Sequence, residues 1–217
     1  MASQSTAQRP VPRIYLVTPP VEDAAEFVRV LDAALPAADI AAVLLRLAVA
    51  SERDQIDRIK TIAPAVQARN VALLLDGHWN IVGRAGADGA HLTGVAALRD
   101  AIGALQPARI AGAGGLRTRH DAMLAGEAGA DYVMFGEPDA AGRRPSFEAI
   151  VERVTWWAEV FEPPCVGFAG ASEEVAPLAQ AGADFVALGD WIWTAKPGPA
   201  AVVAAAASAV AAPERVA

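Results

Sequence analysis

Cysteine is nearly missing from this chain. Cys165 is the one such residue among 217, so no disulfide can form within the molecule. It sits in an apolar, strand-like run, where a thiol reads as buried and inert and not as a nucleophile. Aromatic residues are also sparse, 6% against a hydrophobic total of 54%, with alanine making up much of the difference. That balance suits small-residue helices packed closely on a sheet. No apolar run reaches the roughly 20 residues that span a bilayer, because Arg, Asp or Pro interrupts each one. Cations are outnumbered, 18 Lys and Arg against 25 Asp and Glu, for a net charge of −7. Such a surface argues against nucleic acid or an anionic membrane as partner. Residues 1–9 are polar and lack the apolar core of a signal peptide. They are read as a disordered tail, drawn to residue 12, ahead of one folded unit over 13–212. The expected setting is cytoplasmic and the expected partner a small molecule, with a homodimer left open.

What the chain has in quantity is one phrase, written three times. Ala85-Gly86-Ala87-Asp88, Ala128-Gly129-Ala130-Asp131 and Ala181-Gly182-Ala183-Asp184 each close a helix-like stretch and lead into a short apolar run. A glycine just past a helix takes the left-handed conformation that closes the last turn, and a short link then feeds a buried strand. Helix, glycine and strand in repetition describe βα units side by side in a parallel sheet. Eight strands are expected, at 13–18, 41–47, 71–76, 89–92, 109–113, 132–136, 165–169 and 185–189. Their near-continuous apolarity fits strands buried on both faces. Amphipathic stretches at 21–35, 51–68, 147–161, 172–181 and 199–211 supply helices, the second with Ser51 as N-cap and Asp54 three residues on. The fold expected is α/β, a single-domain (β/α)8 TIM barrel, with a doubly wound open sheet as the alternative. In a barrel the chemistry lies at the C-terminal ends of the strands. Attention therefore falls on Thr18, Arg46, Asp76, His91 to Gly94, Gly112 to Arg117 (with Gly114 and Gly115), Gly136 to Arg144, Gly170 and Gly189 to Trp191 (with Asp190).

The run Ile14-Tyr15-Leu16-Val17-Thr18, the run Gly86-Ala87-Asp88-Gly89-Ala90-His91-Leu92 and the run Ala183-Asp184-Phe185-Val186-Ala187-Leu188-Gly189 resemble the thiamine phosphate synthase and thiazole tautomerase family. The likeness holds in register over about 13–195. It implies a transferase that joins a pyrimidine methyl pyrophosphate to a thiazole phosphate and releases pyrophosphate with Mg²⁺ assistance. It also implies substrate groups near Arg46, Asp76, His91, Gly114, Gly115, Gly170, Gly189 and Asp190.

Several positions depart from the family pattern. Its Gln-Leu-Arg motif reads Leu44-Leu45-Arg46 here, leaving Arg46 alone. Its Asn-Asp pair becomes Asp76-Gly77, and its second metal carboxylate falls near Ala96, so both Mg²⁺ ligands implied by the resemblance are replaced. Its Thr-Pro-Thr-Lys loop becomes Glu137 to Arg144, where Arg143 and Arg144 either stand in for the lysine or belong to a solvated loop. Its Val-Ser becomes Gly189-Asp190. The Gly112 to Gly115 turn reads either as an anion cradle or as a tight turn. His91 reads as a strand-end hydrogen-bonding group, and no residue is assigned as the catalytic acid or base. Four functions stay open: a synthase with a rebuilt site, a tautomerase-like enzyme, a ligand-binding or regulatory barrel, and another small-molecule enzyme on the scaffold. Arg46, inward-facing and costly to bury alone, is expected to pair with Asp76 or Asp190.

Overall fold

The computed structural model describes residues 10–212, so the tail expected at 1–9 lies outside the described residues. Eight parallel strands close into a barrel in sequence order. They are β1 (Arg13–Val17), β2 (Ile40–Leu45), β3 (Ala72–Asp76), β4 (Gly89–Thr93), β5 (Ile110–Gly114), β6 (Tyr132–Phe135), β7 (Cys165–Ala169) and β8 (Phe185–Leu188). Each lies within two residues of its expected place. The helices are α1 (Ala24–Ala34), α2 (Glu52–Gln67), α3 (Val82–Ala85), α4 (Gly94–Leu105) and α5 (Arg119–Glu127), then α6 (Phe147–Val160), α7 (Val175–Gln180), α8 (Trp191–Thr194) and α9 (Pro199–Ala211). Two boundaries are corrected. Val21 does not start a helix but bridges to Leu47, and α1 begins at Ala24 behind the Asp23 cap. Residues 46 and 47 leave the second strand, which frees Arg46 at the rim.

Alternation sorts the side chains into two layers. Tyr15, Val17, Leu44, Leu74, Tyr132, Met134, Val166 and Phe168 fill the barrel interior, whereas Leu16, Val43, Leu73, Val133 and Leu188 face the helices. The repeated phrase does two jobs at the N-terminal end. Gly86, Gly129 and Gly182 adopt φ of 78°, 94° and 94°, as the closing turn of a helix requires. The aspartate that follows then takes hold of the neighbouring strand. Asp88 accepts from Leu73 N at 2.7 Å, Asp131 from Ala111 N at 2.7 Å and Asp184 from Cys165 N at 2.8 Å. The backbone N–H of each aspartate donates to the carbonyl of the same residue it grips. Leu73, Ala111 and Cys165 are fully buried, so each carboxylate satisfies an N–H that water does not reach.

Candidate active site

Interior alternation brings Asp76 at the end of β3, His91 in β4 and the small Gly114 at the end of β5 to the mouth, with Asp76 level with His91 and His91 level with Gly112. Above them opens a cavity of about 780 Å³ at the C-terminal mouth. Its floor and walls include Val17, Leu44, Met134 and Phe168. Its polar groups are Asp76, His91, Glu137 and Asp139 together with Arg46, Arg117, Arg143, Arg144 and Arg153. A small apolar pocket with convergent polar groups is the usual form of a small-molecule site.

Beneath the cavity runs a buried hydrogen-bonded chain. The two tyrosines of the sequence both point inward, and Tyr15 Oη lies 2.9 Å from Tyr132 Oη. Tyr132 Oη is 2.9 Å from His91 Nδ1, and His91 Nε2 is 3.4 Å from Glu137 Oε1. Glu137 Oε1 also accepts from the Gly115 N–H, whereas Glu137 Oε2 is buried without a hydrogen-bond partner. Burial by itself would lower the affinity of His91 for a proton. The charge and hydrogen bond of Glu137, with the charge of Asp76, outweigh burial and raise its pKa above the ordinary histidine value. Burial, and beyond it the charges of Glu137 and Asp76, raise both tyrosine pKa values, so both phenols stay protonated. The chain can reverse its polarity. With His91 neutral at Nδ1, Tyr132 donates to it; with His91 protonated, Nδ1–H donates to Tyr132 and Tyr132 donates to Tyr15. Gly114 is what makes room, since a Cβ there would collide with both Glu137 and His91.

Carboxylates also pair with three arginines of the mouth. Arg46 forms an ion pair with Asp190 and donates through Nε to the Thr18 carbonyl. Arg144 donates to Glu174 at 2.9 and 3.3 Å, to the carbonyls of Gly136 and Phe168, and lies over the Phe168 ring. Glu174 accepts in addition from Gly170 N at 2.6 Å. Arg143 pairs with Asp139 inside its own loop. The loop after β6 thus divides: Asp139 and Arg143 form the solvated part, and Glu137 and Arg144 turn inward, so the two alternatives fall one to each arginine.

Of the residues expected at the site, Arg46, Asp76, His91 and Gly115 line the cavity. Asp190 reaches it through Arg46. Gly114 shapes it from behind. Gly170 and Gly189 lie outside the lining, with their N–H groups engaged by Glu174 and by the Ala169 carbonyl. His78 and Trp79 do not line it, and Trp79 opens a short 3-10 turn before α3. His120 is exposed on α5. Trp191 and Trp193 donate to the carbonyls of Ala169 and Val17 and so brace strand ends instead of walling the pocket. Sequence reasoning missed Tyr15, Tyr132 and Glu174, and placed Glu137 at the rim without its link to His91. The signal for the tyrosines was present, since both occupy inward positions of the alternation.

The residues at the mouth do not fit a resident Mg²⁺. Gly77 and Ala96 offer no side-chain oxygen, and Ala96 is exposed on α4. Asp76 is the lone strand-end carboxylate of β3 and β4, and Glu137 already spends one oxygen on Gly115 and His91. Among the described residues no three His, Cys, Asp or Glu side chains are grouped as a metal site. A hard cation needs more oxygen than this.

A closed (β/α)8 barrel with a cavity at its C-terminal mouth defines a TIM-barrel protein whose candidate site lies where such barrels place theirs. Residues 14–192 match the family described as thiamine monophosphate synthase. A thiamine-phosphate synthase of Rhodospirillum centenum is 42% identical over 198 residues, covering 88% of this chain and 94% of its own. The same-named protein of Hyphomonas neptunium is 36% identical, covering 92% and 95%. Thiamine phosphate pyrophosphorylase from Pyrococcus furiosus superposes with a TM-score of 0.75 at 19% identity over 91% of this chain and 95% of its own. The 3-hexulose-6-phosphate synthase of Salmonella typhimurium follows at 0.69 and 20%, over 91% and 98%, a likeness of fold alone. The chain belongs to the thiamine phosphate synthase family.

Proposed function

We propose that this chain carries out the family condensation at the barrel mouth. The thiazole nitrogen of a thiazole phosphate forms a C–N bond to the methylene of hydroxymethylpyrimidine pyrophosphate. The C–O bond to pyrophosphate breaks, and pyrophosphate leaves with the electron pair. No proton is gained or lost at the reacting atoms, so the step asks for positioning and charge stabilisation above all. Val17, Leu44, Met134 and Phe168 offer apolar surface for two flat rings. The arginines of the rim face the phosphoryl groups, and His91 and Glu137 line the same cavity beneath them. The ligand is therefore a small molecule, and no helix among the described residues is long and apolar enough to cross a membrane. We place the reaction in the cytoplasm.

The observation that carries this reading is the match over 14–192 to a family of synthases, with a cavity at the place where a barrel does its chemistry. The test is direct. Purified protein is incubated with the pyrimidine pyrophosphate and thiazole phosphate, with and without Mg²⁺, and thiamine phosphate is followed by chromatography. Product above the uncatalysed rate supports the reading, and none under either condition overturns it.

A further inference from the structure

Five arginines line the cavity, and three of them are already neutralised: Arg46 by Asp190, Arg143 by Asp139 and Arg144 by Glu174. Arg117 and Arg153 are different. Neither takes part in any ion pair among the described residues. Arg117 follows the Gly115 turn after β5 and is exposed. Arg153 rises from α6 and is fixed by two carbonyls of the same turn, Nη1 to Leu116 O at 3.2 Å and Nη2 to Arg117 O at 2.7 Å. The second of these bonds ties one guanidinium to the backbone of the residue that carries the other. Two permanent cations thus share one turn at the cavity wall with no carboxylate within ion-pair distance of either among the described residues. Carbonyl anchoring leaves Arg153 with unspent N–H donors and removes most of its rotamer freedom before any ligand arrives.

We propose that Arg117 and Arg153 form a metal-independent site for a phosphoryl oxyanion, the phosphate or pyrophosphate end of the ligand, and so do the work for which this mouth lacks Mg²⁺ ligands. The inference rests on the family reaction proposed above and moves the anion grip from the β2–β4 side of the mouth to the β5–α6 side. Guanidinium pairs suit the geometry, because their planar forks match phosphoryl oxygens two at a time. Binding at such a site stays charge-driven, independent of chelators and weakened by salt.

Isothermal titration of the full chain with inorganic pyrophosphate and, separately, orthophosphate, each in EDTA and in Mg²⁺, tests the proposal. Saturable binding in EDTA is expected, falling at least about tenfold in Arg117→Ala and again in Arg153→Ala, as loss of charge-assisted hydrogen bonds requires. Arg117→Lys keeps the charge but loses the fork and is expected to fall between. Arg119→Ala, which removes a surface pair with Glu152 outside the cavity, is expected to bind like the parent. Much tighter binding of pyrophosphate assigns the diphosphate end, and equal binding of the two assigns a single phosphate. Binding that appears only with Mg²⁺, or is unchanged in both Arg117→Ala and Arg117→Lys, overturns the site. Because the exposed Arg117 side chain makes no hydrogen bond or ion pair among the described residues, its variants are expected to fold and the result is readable. If thiamine phosphate forms but pyrophosphate binds only with Mg²⁺, the site fails and the reaction stands. If the anion binds without metal and no product forms, the reaction fails and the site stands.

Discussion

At the N-terminal end of the barrel Asp88, Asp131 and Asp184 each accept a strand N–H, and at the C-terminal end Glu137 and Glu174 accept from Gly115 and Gly170. The bond type is the same, but its setting differs. Below, three links recur in register, each carboxylate serving a fully buried N–H, with Asp88 and Asp131 also accepting from the neutral amides of Gln67 and Gln106. Above, each carboxylate is shared with a cation or an imidazole, Glu137 with His91 and Glu174 with Arg144. Repetition marks the end that holds the fold, and individual wiring marks the end that meets a ligand. A family phrase seen three times therefore says little about chemistry, whereas carboxylates that occur once, off the repeat, carry it.

The largest effect expected from breaking this contrast is at the base. Replacing Asp88, Asp131 and Asp184 together by Ala orphans three buried N–H groups at separated sites, at about 1–3 kcal/mol each. Denaturant melts are expected to show near-total loss of the folded state, and single variants a Tm lower by roughly 2–4 °C per kcal/mol. Asparagine at the same positions keeps an acceptor and loses less. A single base variant that left stability intact but weakened pyrophosphate binding would erase the distinction between the two ends.

A smaller effect, and one with a sign, belongs to Glu137. The pKa of His91 is raised in the folded chain, so the pair contributes its full stability below about pH 6.5, the unfolded value, and loses it as pH climbs through the folded value. Titrating the His91 C2–H by NMR is expected to give a midpoint above that of a free histidine, dropping in Glu137→Gln. The stability difference between parent and variant is expected to shrink as pH rises through that midpoint. A parent midpoint at or below the free value contradicts the wiring.

The smallest effect concerns Asp190. Its side chain is 61% exposed, so Asp190→Asn is expected to cost at most about 1 kcal/mol of stability. Freed of its partner, Arg46 becomes available to an anion, and orthophosphate affinity at the mouth is expected to rise a few-fold by titration. No change in affinity would show that Arg46 is held by the Thr18 carbonyl and not by the carboxylate.

Much of this was legible in the sequence. The three glycines announce their left-handed turns because only that conformation closes the helix, and inward alternation leads Arg46 to Asp190 across the mouth. Other features left weak marks. α3 has four residues, and α4 starts at Gly94 behind a Thr93 whose side chain makes no cap bond, so neither helix advertises its beginning. Glu137 precedes a turn full of Asp, Gly and Arg, which looks solvated until the backbone carries it 22 residues back to Gly115. The same non-locality hid Glu174, whose partner Arg144 is 30 residues away.

The seam between β8 and β1 bears on how this molecule is made. Trp193, in the short helix after β8, donates to the Val17 carbonyl at 2.7 Å across 176 residues of chain. Trp191 does the same for Ala169 at the end of β7. Until that helix leaves the ribosome, on the order of 10–35 s after β1 at ordinary elongation rates, β1 has one bare edge and the sheet is an open arc. Closure is thus the most non-local event available to the chain and the one that a slow folding step would report. The nascent arc, with its unpaired β1 edge, is also the species most exposed to edge pairing with another copy.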